Sequence, residues 1–148
     1  MKSDSASNAT DGRLREDKNG ERTAGRLLGI GVAVFIAGRL VDLAWHATHP
    51  DFETAADQVR AHAVVWLGAL VVLSAGVVAV VRGVRRPDYI VVLVGAVGYA
   101  AVAVWHFMEH AQGRDPDLPH VLLLITNIVI LGGAAWVGFT AWRRRRVT

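Results

Sequence analysis

The sequence predicts an all-α fold, an integral membrane protein built as an antiparallel bundle of four transmembrane helices. Two observations predict it. Of the 148 residues, 53% are apolar, and they are gathered into four long runs, each near the ~20 residues that a helix needs to cross a bilayer. None of these runs alternates between polar and apolar positions, as the strands of a membrane barrel do.

The elements follow in order along the chain. Residues 1–24 are polar, mixed in charge and without the apolar core of a signal peptide, so they predict a disordered cytoplasmic tail. The four helices are predicted over residues 25–46, 61–82, 88–110 and 119–142, and a short basic cytoplasmic tail follows at 143–148. All prolines fall between these spans or in a first helical turn, where a missing N–H costs little. They are Pro50, Pro87, Pro116 and Pro119.

Small residues four apart occur within the predicted helices. Gly25 with Gly29 and Ala134 with Gly138 are two such pairs. Small side chains let helix backbones approach closely in lipid, so the pairs together favour a compact antiparallel bundle. Any single pair is explained as well by the general abundance of glycine and alanine in membrane helices.

Lysine and arginine predict the orientation of the chain. They cluster before the first span, in the second connection and after the last span, whereas the first and third connections carry one arginine each. Positive residues mark the cytoplasmic side, so both termini are predicted in the cytoplasm of a multi-pass plasma-membrane protein. The basic residues flank apolar runs, which predicts the lipid bilayer as partner and no nucleic acid. A further partner outside the cytoplasm or in the membrane stays open, as does the oligomeric state.

All histidines fall at the predicted outer ends of the helices. They are His46 and His49, His62, His106 and His110, and His120, from the first to the fourth span. At 100° per residue, Arg39, Asp42, His46 and His49 share a face about 80° wide. Tyr99, His106, Glu109 and His110 share a face of the third span. Exposing such side chains to lipid costs ~2.5 to 3.5 kcal/mol for a charged group, so the polar faces are predicted to meet inside the bundle.

Converging imidazole and carboxylate groups predict a site for a divalent transition metal, zinc, copper or non-haem iron. The chain has no cysteine, so only nitrogen and oxygen ligands are available. The predicted ligands are His46, His106, His62, His120, Asp42, Glu109, His49 and His110. Arg39, Tyr99 and Asn127 are predicted to support them from the next layer. His49, His62, His110 and His120 also suit positions among lipid headgroups, whereas His46 and His106 recur in both halves of the chain and share faces with other polar groups.

Two alternatives to a metal site remain open. One is a b-type haem protein with His46 and His106 as axial ligands, because both lie at equal depth on parallel helices. The other is a non-catalytic structural or accessory subunit whose histidines sense pH or bind a partner. No nucleophile beside a base and no phosphate or dinucleotide motif is present, so the sequence leaves open whether the protein is an enzyme.

The two halves of the chain share a pattern. WHATH at 45–49 corresponds to WHFMEH at 105–110, and DQVRAH at 57–62 corresponds to DPDLPH at 115–120. Each half thus ends one helix with Trp-His and begins the next with His. The pattern predicts a 2+2 internal repeat.

The stretch GRLVDLAWHATHPDFETAADQVRAH at 38–62 resembles a group of small bacterial and archaeal four-helix membrane proteins. In that group the first helix ends in Asp and His, and the second begins with His after an acidic loop. The resemblance covers residues 38–76, with a weaker echo at 100–130. It implies the fold and the topology and implies no activity. Ala61 stands where the group has glycine, which bears on how tightly the second helix starts.

Overall fold

The computed structural model describes residues 4–49, 55–84, 86–114 and 116–146. Over these residues the chain forms four helices, α1 (Asp4–Thr48), α2 (Ala55–Val81), α3 (Pro87–Ala111) and α4 (Asp117–Arg145). The predicted all-α fold of four packed helices is confirmed. The two extreme ends of the predicted tails and the predicted loop residues 50–54, 85 and 115 lie outside the described residues.

Each helix contains a stretch that is long and apolar enough to cross a membrane. The stretches are Asn19–Thr48, Val59–Val81, Pro87–Ala111 and Asp117–Arg145. The outer faces carry large apolar side chains, and those of Leu40, Leu43 and Val94 are 64%, 68% and 63% exposed. Apolar surface on this scale is rare on water-soluble monomers and is expected where a helix faces lipid.

Helix α1 begins at Asp4, within the segment 1–24 for which the sequence predicts a cytoplasmic tail. Ala24 is fully buried, and a Cβ atom added to Gly20 would lie 2.7 Å from Cβ of Arg82. The segment from Gly20 to Ala24 is therefore part of the bundle. Residues 4–19, which precede this segment, include the good helix formers Arg, Lys and Glu and contain no proline, so a helix can continue through them.

Glycines set how closely the helices pack. A Cβ atom added to Gly31 of α1 would lie 2.8 Å from the backbone nitrogen of Val72 in α2. Two further close pairs, Gly38 with Val65 and Phe35 with Gly68, follow the same antiparallel register. Gly95 and Gly133 make the corresponding approaches between α3 and α4, against Ile130 and Val92. Pairing of successive helices is a property of any up-and-down bundle, so the internal repeat stays a prediction.

Helices α1 and α2 pack along their length, as do α3 and α4, while α1 and α4 touch at few positions. The middle of the bundle is apolar, and there the ring of Phe35 meets that of Tyr99 edge to face at 5.3 Å. The buried polar side chains lie toward the two ends of the bundle. They are Asp42, His62, His106 and Asn127 toward one end and Arg86 and Asp88 toward the end that carries both termini. We call these the histidine end and the basic end.

Candidate metal centre

Asp42 is the centre of a first group of three side chains that can hold a metal ion. Its Oδ1 atom lies 2.8 Å from Nδ1 of His62 and 3.4 Å from Nε2 of His46. One ligand atom from each residue lies within 4.8 Å of the other two. Asp42 and His62 are buried, and His46 is half exposed. We call Asp42, His46 and His62 the first triad.

The register of α1 and α2 explains why Asp42 meets His62. Gly38 lies directly against Val65. Asp42 follows Gly38 by about one helical turn, and His62 precedes Val65 by about one turn. Because the two helices run antiparallel, both steps lead to the same level of the bundle. His46 lies one further turn along α1, on the same face as Asp42.

Three histidines form a second triad from α3 and α4. The rings of His106 and His110, one turn apart on α3, have centroids 4.4 Å apart. The ring of His120 on α4 lies 4.5 Å from that of His106 and 6.0 Å from that of His110. One nitrogen atom from each lies within 4.8 Å of the others. His106 is buried, His110 is partly exposed and His120 is exposed.

The two triads adjoin each other. The ring of His62 lies 6.1 Å from that of His106 and 5.7 Å from that of His46. The five imidazoles therefore form one continuous layer to which all four helices contribute. Four of them, all but His110, line an open cavity of about 520 Å³. Asp42, Arg39, Tyr99 and Trp66 also line this cavity.

Arg39, Tyr99 and Asn127 are the three residues that the sequence predicts to support the ligands from the next layer. Arg39 donates a hydrogen bond of 2.6 Å from Nη1 to Oδ2 of Asp42. Tyr99 is buried and lines the same cavity. Asn127 is also buried, and its Oδ1 atom has no hydrogen-bond partner among the described residues. It does not line the cavity.

Two of the predicted ligands are engaged elsewhere. Glu109 accepts hydrogen bonds from Nε of Arg114 at 2.6 Å and from Nε1 of Trp105 at 3.0 Å. The hydrogen bond and the charge of Glu109 raise the pKa of Arg114. The exposed ring of His49 stacks on Trp45 with centroids 4.1 Å apart. Neither Glu109 nor His49 belongs to a triad. Helical spacing predicts which face of its helix each residue lies on, but it does not predict that Glu109 bonds to Arg114 or that His49 stacks on Trp45.

Trp66 is a site residue that the sequence analysis did not single out. Its ring lies 5.8 Å from that of His62 and packs edge to face on Phe107. It forms an apolar wall beside the imidazole layer. The signal was its position four residues after His62, which places both side chains on one face of α2.

The basic end holds a second polar cluster that the sequence analysis missed. Arg86 donates hydrogen bonds to Asp88, to Glu21 and to Oγ1 of Thr140. Thr140 in turn donates to Oδ2 of Asp88 at 2.9 Å. Burial lowers the pKa of Arg86, but the hydrogen bonds and charges of Asp88 and Glu21 outweigh it and raise this pKa overall. The sequence feature that could have predicted this cluster is Asp88, an acidic residue directly after Pro87 at the start of α3.

Comparisons of the chain with protein families, with curated proteins and with solved structures find no match.

Proposed function

We propose that this protein binds divalent transition-metal ions at the histidine end of its bundle, on the predicted outer side of a membrane. The observation that carries the proposal is the pair of adjoining triads, each with three ligand atoms within 4.8 Å of one another. Three protein ligands leave coordination positions free for water or another ligand, as in open metal sites. The cavity beside the imidazole layer gives such a ligand room.

The spacing of the first triad suits a metal ion. On a tetrahedral ion with bonds of ~2.1 Å, two ligand atoms lie ~3.4 Å apart. Oδ1 of Asp42 lies 2.8 Å from Nδ1 of His62 and 3.4 Å from Nε2 of His46. Both distances are close to this spacing, and the ligand nitrogens of His46 and His62 lie within 4.8 Å of each other. Arg39 holds the other carboxylate oxygen, which is the kind of support that orients a ligand.

The ligand types restrict the metal. The first triad offers two imidazoles and one carboxylate, a set found with non-haem iron and with zinc. The second triad offers three imidazoles, a set that suits zinc or copper. No thiolate is available, since the chain has no cysteine. The proposal is therefore zinc, copper or non-haem iron, bound at one or both triads.

The haem alternative fits the geometry less well. A haem ligated by His46 and His106 would occupy the space between these rings. The ring of His62 is within contact of both, at centroid distances of 5.7 and 6.1 Å. A porphyrin would have to displace this buried imidazole from its place beside Asp42.

Metal content of the purified protein tests the proposal. We expect detergent-purified wild type, reconstituted with Zn²⁺, Cu²⁺ or Fe²⁺ and passed through a desalting column, to retain up to two ions per chain by elemental analysis. The double variant Asp42→Asn, His62→Gln should lose the ion of the first triad. The double variant His106→Gln, His120→Gln should lose that of the second. His49→Gln, outside both triads, is the matched control and should retain the wild-type content.

Each result decides something. Wild-type protein that retains none of the three metals would contradict the proposal and leave a structural or accessory role. Equal metal loss in the His49→Gln control would show that binding is diffuse and not at the triads. A Soret band in the visible spectrum of the protein purified from cells would favour haem instead.

A further inference from the structure

The basic end of the bundle contains a pocket of about 720 Å³ between α1, α3 and α4. We call it the basic pocket. Its lining includes five arginines, Arg22, Arg26, Arg86, Arg144 and Arg145, and one carboxylate, Glu21. It lies at the opposite end from the metal triads and shares no residue with them.

Positive charge exceeds negative charge in the basic pocket. Glu21 lies 3.3 Å from Nη1 of Arg144 and also pairs with Arg86, which Asp88 holds from its other side. Two carboxylates thus face five guanidinium groups. Arg22, Arg26 and Arg145 form no ion pair with another described side chain. An anion would complete the charge balance of the pocket.

An apolar groove continues from the basic pocket into the membrane-spanning region. It has a volume of about 420 Å³ and runs between α1 and α4, which touch at few positions. Gly25, Val137 and Gly138 line both the groove and the basic pocket, so the two spaces are continuous. A Cβ atom added to Gly29 or to Gly138 would have no neighbour within 4 Å. The missing side chains leave the groove open.

From the continuity of these two spaces we infer that the protein binds an anionic phospholipid, with its phosphate among the arginines of the basic pocket and an acyl chain in the groove. Basic pockets between membrane helices bind anionic headgroups. The depth fits, because Gly29 lies seven residues from Arg22, ~10 Å along the helix. A soluble anion would fill the charged pocket alone, whereas a phospholipid fills both.

Lipid binding by the purified protein tests the inference. Wild type in neutral detergent is titrated with dioleoyl phosphatidylglycerol or dioleoyl phosphatidylcholine, and native mass spectrometry counts bound lipid. We expect one saturable phosphatidylglycerol per chain and little phosphatidylcholine. The variant Arg22→Gln, Arg26→Gln should bind phosphatidylglycerol about 25-fold more weakly, at about fivefold for each arginine. Its control is Arg143→Gln, Arg146→Gln, which removes the same charge outside the pocket and should change binding less than about twofold.

A second pair of variants tests the groove. Gly29→Leu fills the groove with a side chain, and Gly132→Leu adds the same side chain on α4 where Gly132 has no neighbour and does not line the groove. We expect Gly29→Leu to weaken phosphatidylglycerol binding about tenfold or more, on the scale of burying part of an acyl chain. Gly132→Leu should bind like wild type. A circular dichroism spectrum and a melting temperature like those of wild type show that each variant is folded.

Four results would overturn the inference. Equal binding of the two lipids, or equal weakening in both arginine variants, would mean a diffuse surface attraction. Binding of soluble glycerol phosphate that Gly29→Leu leaves unchanged, with no preference for the lipid, would mean a site for a soluble anion. Dimers that Gly29→Leu abolishes, with no bound lipid in wild type, would mean that a second copy of the chain covers the groove.

Discussion

Asp42 illustrates how one side chain makes a polar layer tolerable inside an apolar bundle. Its Oδ2 atom accepts a hydrogen bond from Arg39, which offsets much of the cost of placing a carboxylate in a membrane-spanning helix. Its Oδ1 atom is thereby turned toward His62 and His46. One carboxylate oxygen is used for stability, and the other remains for the triad.

Asp88 has the comparable position at the basic end, and its removal should destabilise the fold. It accepts hydrogen bonds from Arg86, from Thr140 and from its neighbour's backbone nitrogen, that of Tyr89. Asp88→Asn would leave the buried guanidinium of Arg86 with Glu21 as its only carboxylate partner among the described residues. We expect a loss of about 1 to 3 kcal/mol in the free energy of unfolding, since the variant removes one of the two carboxylates that neutralise this buried guanidinium. Unfolding by denaturant in detergent micelles measures it.

The control for Asp88 is Glu109→Gln at the other end of the bundle. Glu109 pairs with Arg114 in an exposed position, where solvent screens the interaction. We expect little change in unfolding from this variant. A loss as large as that of Asp88→Asn would mean that burial does not govern these ion pairs.

At the scale of helices, the glycines at close approaches control the fit of α1 on α2. Gly38 lies against the backbone of Val65, and Gly68 lies against the backbone of Phe35. A methyl group at either glycine would overlap backbone atoms, which cannot move aside as a flexible side chain can. We expect Gly38→Ala and Gly68→Ala each to lower the free energy of unfolding by about 1 to 3 kcal/mol. Thermal unfolding in detergent, followed by circular dichroism, measures this loss.

Gly29→Ala in α1 and Gly132→Ala in α4 are the matched controls. An added Cβ atom has no neighbour within 4 Å at either position. Alanine favours a helix over glycine by roughly 0.5 to 1 kcal/mol, so these variants should be as stable as wild type or slightly more so. If all four variants shifted alike, helix propensity and not helix contact would govern the bundle.

The sequence predicts where the helices lie and which residues share a face, but it does not predict which faces are in contact. Hydropathy and the prolines predict both ends of α3 and α4 to within about three residues, but they do not predict that α1 begins at Asp4. Spacing predicts which residues share a face, and Asp42 with His46 is such a pair. Spacing cannot say which face meets which helix, because that depends on packing. A Cβ atom added to Gly25 would lie 3.3 Å from Oη of Tyr89 in α3, whereas one added to Gly29 would have no neighbour within 4 Å, and sequence spacing does not distinguish the two glycines.

At the scale of the molecule, the buried polar groups are divided between two ends. Toward the histidine end lie the triads, and toward the basic end lies the network around Arg86 and Asp88. Between them the core is filled by apolar side chains such as Val65, Val72 and Ile130. An antiparallel bundle of four helices places both chain ends at one face. The proposed metal triads and the inferred lipid pocket therefore lie at opposite ends of the molecule.

The predicted orientation can be measured because the chain has no cysteine of its own. Single cysteines replace exposed residues at the histidine end, Ala47→Cys and Gln112→Cys, and at the basic end, Arg82→Cys and Arg146→Cys. A membrane-impermeant maleimide is added to intact bacterial cells that express each variant. Since the arginines cluster at the basic end and mark the cytoplasmic side, we expect the first two variants to be labelled at once and the last two only after permeabilisation. The reverse pattern would place the histidine triads in the cytoplasm, where the metal would be drawn from a cytoplasmic supply instead of from outside. If the two positions at the same end of the bundle were labelled from opposite sides of the membrane, the chain would cross the membrane a different number of times.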